Sequence, residues 1–182
     1  VSQVALTLRA VGGLTTAEIA HAYGVTEVAM GQRISRAKQQ IRSAGGRFVI
    51  PSADDRGNRL TAVLQVLYLI FNEGYAATAG EQLHRVDLTS EAIRLARMLH
   101  GLLPDELEVA GLLALMLLSD ARRPARSTEA GDLVTMEHQQ RDLWDGALTA
   151  EGTTLITTAM RQRQVGPYQL QAAIAALHNG AP

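Results

Sequence analysis

Apolar residues recur along this chain at helical spacing, and strand-type alternation is weak throughout. Gln3 to Ala10 reads as a helix already in progress. A second helix begins after Thr15, with Glu18 three residues on. In this capping-box spacing the hydroxyl accepts a free backbone N–H and the carboxylate reaches back to the cap. Ile19, Ala20 and Tyr23 give that helix an apolar face. Gly24 ends it, because glycine takes a left-handed conformation without steric cost. Val25 sits in the turn to pack between two helices, and Thr26 caps the next one. Val28, Met30, Ile34, Ala37 and Ile41 read as the inward face of that third helix, and Gly45-Gly46 closes the unit.

Beyond it, Phe48-Val49-Ile50-Pro51 reads as extended, since the residue before proline avoids helix. Ser52 to Asn58 reads as a polar linker. Leu60 to Glu73 is apolar almost all round, the pattern of a buried helix, with Gly74 ending it and Tyr75 packing back. Thr89 to Leu103 forms another helix, capped by Thr89 or Ser90, with the stripe Ala92, Ile93, Ala96, Leu99, Leu102 and Leu103. Pro104 suits the first turn of the next, with Asp105, Glu106 and Glu108 at its positive end. Leu107 to Leu118 reads as core, and Ser127 to Thr135 as a loop. Gln139 to Leu148, Thr149 to Arg163 and Pro167 to Leu177 are further helical stretches. The fold class is all-α: a helix-turn-helix module over 1–46, a linker over 47–58, and an array of antiparallel helical hairpins over 59–182. Helices of roughly 12–16 residues joined by short turns have the form of a tetratricopeptide-type stack, although no clean repeat signature accompanies them.

Two helices about a glycine turn, the second basic, place one helix in the DNA major groove. The outward residues of that second helix are Glu27, Ala29, Gly31, Gln32, Arg33, Ser35, Arg36, Lys38, Gln39 and Arg42. Its N-terminal residues Glu27, Val28, Gly31 and Gln32 stand where base edges are reached. There Glu27 can accept from a cytosine amino group, and Gln32 can read adenine. Arg33, Arg36 and Lys38 suit phosphates, which fix register rather than read sequence. The plainer reading, a helical hairpin with a solvated basic face, gives way because capping box, glycine turn and basic helix coincide.

Charge sharpens this picture. Residues 1–45 hold five basic residues against Glu18 and Glu27, a net +3, whereas the remainder is net −4. A basic head and an acidic body confine nucleic-acid contact to the head. The absence of cysteine excludes a disulfide frame, a thiolate nucleophile and a cysteine zinc cluster. The histidines His21, His84, His100, His138 and His178 are scattered without ligand spacing. No signal-peptide pattern opens the chain, and the longest apolar or glycine run, Val109 to Leu118, is too short to span a bilayer. A cytoplasmic protein without membrane contact is expected.

Candidate chemistry in the body is weaker. Asn72, Glu73 and Tyr75 end an apolar helix, where a buried carboxylate can act as acid or base. A polar helix end paired to an arginine explains them better, because no second carboxylate or spaced histidine lies nearby. Asp120, Arg122, Arg123 and Arg126 read as an ion-paired helix terminus before an anion site. Trp144 and Tyr168 read as core anchors. Gly166-Pro167-Tyr168-Gln169 reads as a helix start, lacking the glycine spacing and lysine of a phosphate loop. No catalytic residue, cofactor or metal ligand is assigned, and no enzyme activity is expected.

The run Leu6-Thr7-Leu8-Arg9, Gly12 to Ala20 and Arg33-Ile34-Ser35-Arg36-Ala37-Lys38 resembles the last, promoter-reading domain of bacterial sigma factors, within them the extracytoplasmic-function type. Tyr68 to Tyr75, Leu112 to Leu118, Asp120-Ala121-Arg122-Arg123 and Gly166 to Ile174 resemble one subgroup with a long tetratricopeptide-like C-terminal extension. The resemblance implies promoter DNA and RNA polymerase core as partners. It makes 1–46 a region-4-like domain lacking part of its first helix, with the clamp-binding domain outside the chain and the extension cut after Pro182. Gly31 stands where relatives often carry a basic or small polar residue. Two alternatives stay open: a helix-turn-helix regulator whose body binds a small ligand in an enclosed apolar pocket, and an interaction scaffold whose recognition face packs on the body. Homodimerisation is also left open.

Overall fold

The computed structural model describes residues 2–46, 52–76, 85–128, 131–162 and 164–181. Phe48 to Pro51 and His84 lie outside these residues. The described chain is all-helical: α1 (Ser2–Ala10), α2 (Thr16–Ala22), α3 (Glu27–Ser43), α4 (Ala53–Tyr75), α5 (Val86–Leu102), α6 (Leu107–Asp120), α7 (Gly146–Met160) and α8 (Pro167–Gly180). A lone bridge between Ser127 and Leu133 is the sole extended pairing among the described residues.

Local chemistry moves several boundaries. Ser52 Oγ accepts from the backbone N–H of Asp55 at 3.3 Å, so α4 starts at Ala53. Ser52 to Asn58 is therefore a cap and the start of α4, exposed from Asp55 to Asn58, rather than a linker. α5 starts at Val86, earlier than the pattern indicated, and Arg85 caps it without a side-chain bond. Thr89 is no cap: it is fully buried, its hydroxyl donating to the Val86 carbonyl at 3.1 Å. Leu102 leaves the apolar stripe, being 70% exposed. Pro104 lies in the turn before α6 rather than in its first turn. Gln139 to Leu148 is not one helix. Short 3-10 turns at Met136–His138 and Arg141–Leu143 precede α7, which starts where Asp145 Oδ1 accepts from Ala147 and Leu148 at 2.9 and 3.0 Å. A two-bond cap of this kind outweighs apolar spacing in setting a helix start.

α6 is the central element. Every residue from Val109 to Asp120 is buried, and the helix packs against α4, α5, α7 and α8. Small residues let neighbours approach. α4 runs through Gly74 instead of ending there, and a Cβ on Gly74 would lie 2.6 Å from the Thr89 nitrogen and 2.8 Å from the Arg85 carbonyl. This glycine serves helix crossing, not a cap. At the end of α4, Tyr75 stacks on Phe71 with ring centroids 5.5 Å apart. Arg126 covers the other side, its guanidinium 3.6 Å from the Tyr75 ring centre and donating to the Tyr75 carbonyl. Burial pulls the Arg126 proton affinity below its ordinary value.

Glu108 does not serve its own helix start. It crosses to α8 and accepts from the backbone N–H groups of Tyr168 and Gln169 at 3.2 and 3.1 Å. A carboxylate at a helix N-terminus is favoured by the aligned peptide dipoles. Gly166 makes room, since a Cβ there would overlap the Glu108 carboxyl carbon. Tyr168 meets Tyr68 edge-on at 5.5 Å, and burial pushes its hydroxyl up to about 12. Trp144 is only partly buried and joins neither hydrophobic cluster, so it is no core anchor.

Head and body share one core. Leu8, Leu14, Ile19 and Met30 from α1–α3 join Leu67, Ile70 and Phe71 of α4, Ala92 and Ile93 of α5, and Leu112 and Met116 of α6 in a single buried cluster. The turn after α1 lies on α4, where a Cβ on Gly12 would come 2.9 Å from Ile70 Cδ1.

Candidate nucleic-acid interface

The helix-turn-helix forms as its sequence dictates. Glu18 N–H donates to Thr15 Oγ1 at 3.2 Å, and Thr15 N–H donates to Glu18 Oε2 at 2.6 Å. Gly24 has φ +60°, the region that favours glycine. Around it Val25 N–H donates to Ala20 and Gly24 N–H to His21, both at 3.0 Å, the paired bonds that close a helix on a left-handed residue. Thr26 Oγ1 then accepts from Ala29 N–H at 3.3 Å and opens α3. His21 is exposed.

α3 buries Met30, Ile34 and Ala37 against α1 and α2. Two residues read as inward face the other way: Val28 is 73% exposed and Ile41 52%. Turning about 100° per residue places Val28, Gln32, Ser35, Arg36 and Gln39 along the line opposite the buried one. Glu27 and Lys38 flank this line on one side and the half-buried Arg33 on the other. The structure therefore brings Val28, Gln32 and Arg36 onto one surface, and sets Arg33 at its rim. Among the described residues, none of Arg33, Arg36, Lys38 and Arg42 is paired with a carboxylate. Four unpaired cations on one helix favour an anionic partner.

Gly31 sits beside this line, and an added Cβ meets nothing within 4 Å. Packing therefore does not demand the glycine. Gly31→Ala is expected to stabilise the protein by about 0.5–1 kcal/mol, the helix-interior cost of glycine. An unchanged or lower denaturation midpoint would count against a free surface there.

The helix-turn-helix is held from behind. Glu18, only 6% exposed, gives its second oxygen to Arg85 Nη1 at 3.2 Å, joining α2 to the start of α5. This link escaped sequence reasoning, as the partners are far apart in the chain and each has a sufficient local role.

Residues 59–160 match the family of unknown function (DUF6596), and residues 2–41 match sigma-70, region 4. The head is thus similar to the sigma-factor-type DNA-recognition domain. The chain is 50% identical over 176 residues to an uncharacterized protein of Rhizobium meliloti (strain 1021), which covers 97% of this chain and 42% of that relative. The chain so spans less than half the length of that curated relative. No solved structure matches it. Among the described residues, no helix is long and apolar enough to cross a membrane.

Proposed function

Because the chain belongs to the family of unknown function (DUF6596) and bears a sigma-70 region 4-like head, we propose that it is the promoter-reading and regulatory part of a sigma factor of the extracytoplasmic-function type. In this reading α3 enters the major groove of promoter DNA. Val28 and Gln32 meet base edges, Glu27 and Gly31 stand beside them, and Arg36, Lys38 and Arg42 meet phosphates, with Arg33 at the rim. The observation that carries it is the open outer face of α3, whose opposite face is packed on α1 and α2. A scaffold without DNA binding would cover that face.

The tetratricopeptide-like body then serves as a polymerase-docking and stabilising element, and the protein works in the cytoplasm with RNA polymerase core. Shielding of the DNA face by the body is the lesser reading, because the body grips α1 and α2, not the outer side of α3. Arg36→Ala is expected to weaken binding to every duplex sequence, and to lower the slope of log affinity against log salt by about one unit. Gln32→Ala is expected to relax sequence preference instead. Anisotropy titrations over a salt series decide the matter. An Arg36→Ala slope equal to that of the parent chain would remove the phosphate contact and, with it, this docking pose.

A further inference from the structure

Val28 stands on the first turn of α3 and is 73% exposed. The core does not use it, since the buried line of that helix is Met30, Ile34 and Ala37. The helix start does not use it either, because Thr26 Oγ1 supplies the cap. A β-branched residue is also a poorer helix former than alanine. An outward valine here serves neither packing nor the helix.

Its surroundings divide α3 into two parts. Gly31, Gln32 and Ser35 follow Val28 at helical spacing on the same side, and all are uncharged. The cations begin at Arg33 and continue with Arg36, Lys38 and Arg42. Glu27, exposed beside Val28, sets a carboxylate at the N-terminus of the helix. The peptide dipoles favour it there, and its charge turns a phosphate away from that end. A duplex laid on α3 therefore puts phosphates against the basic shaft and base edges against the tip. Gly31 assists, because no side chain there holds the backbone off the duplex. The fold leaves that space open, as an added Cβ would meet nothing within 4 Å.

A valine side chain can neither donate nor accept a hydrogen bond. The apolar group that distinguishes one base from the others in the major groove is the C5 methyl of thymine. We infer, resting on the promoter-reading role proposed above, that Val28 packs on that methyl and makes this chain select thymine at one fixed position. Gln32 lies one turn further on, roughly 6 Å along the axis, against a base-pair rise of about 3.4 Å. The thymine read by Val28 thus stands within about two base pairs of the position read by Gln32.

A duplex selected from a random pool by the 182-residue chain supplies the probe. Each of its thymines is replaced in turn by uracil, which keeps every hydrogen-bonding group and lacks only the methyl. At one thymine the exchange is expected to weaken binding about fourfold, the worth of one buried methyl group. Val28→Ala should bind the thymine duplex about fourfold more weakly and lose the thymine–uracil difference at that position alone. Its melting temperature, followed by the fluorescence of the single tryptophan, Trp144, should match that of the parent chain. Gln32→Ala should keep the thymine–uracil difference and relax a neighbouring position instead. Failure to enrich any duplex sequence sinks the promoter-reading role and this inference with it. A selected duplex that binds equally well with uracil at every thymine overturns the inference alone. So does a thymine–uracil difference that Val28→Ala leaves intact.

Discussion

Gly74→Val is expected to force α4 from α5 and to cost about 3 kcal/mol or more, the upper range for overpacking a core. The contacts that a Cβ would make are to the Thr89 nitrogen and the Arg85 carbonyl, at 2.6 and 2.8 Å. Backbone cannot rotate aside as a side chain can. The clash is resolved only by moving α5, and with it the buried Leu88, Ala92 and Ile93. Gly152 is the matched control. There the nearest atom is Leu118 Cγ at 2.8 Å, and the nearest backbone atom is 3.2 Å away. Gly152→Val should therefore be the milder change. Urea denaturation measures both, and equal midpoints would show that the α4–α5 crossing is not as tight as described.

Leu8→Ala and Leu67→Ala are each expected to cost roughly 2–5 kcal/mol, the range for removing a buried leucine. Leu8 is fully buried in the head and Leu67 is 5% exposed in the body. The more telling expectation concerns where the damage appears. Both residues belong to one cluster, so Leu8→Ala should lower the Trp144 unfolding midpoint although that tryptophan lies in the turn before α7. Two-state coupling requires every probe to move together. A Trp144 midpoint that ignores Leu8→Ala would separate head from body.

The helix-turn-helix was legible because its signals are local. Thr15, Glu18, Gly24 and Thr26 act on neighbours within a few residues, and each behaves as its type predicts. The buried run Leu107 to Leu118 was legible because it is apolar on all sides. The misreadings share a different cause. Gly74 looks like a helix end until α5 is placed against it. Glu108 looks like a residue of its own helix until α8 is brought to it. Val28 looks inward because it is apolar, but its position on α3 turns it to solvent. Trp144 looks like core for the same reason, yet it sits partly exposed in the turn before α7, with Arg141 over its ring. Partners remote in sequence leave no periodic trace.

The salt link between Glu18 and Arg85 and the buried cluster beneath it bear on how this protein can be rebuilt. A chimera that exchanges residues 1–46 for a sigma-70 region 4 segment of another protein would carry away Leu8, Leu14, Ile19 and Met30. It would leave Leu67, Ile70 and Phe71 facing unfamiliar side chains. In the promoter-reading role proposed above, specificity is therefore transferable by editing the outward line of α3, one side chain at a time, and not by transplanting the segment that bears it.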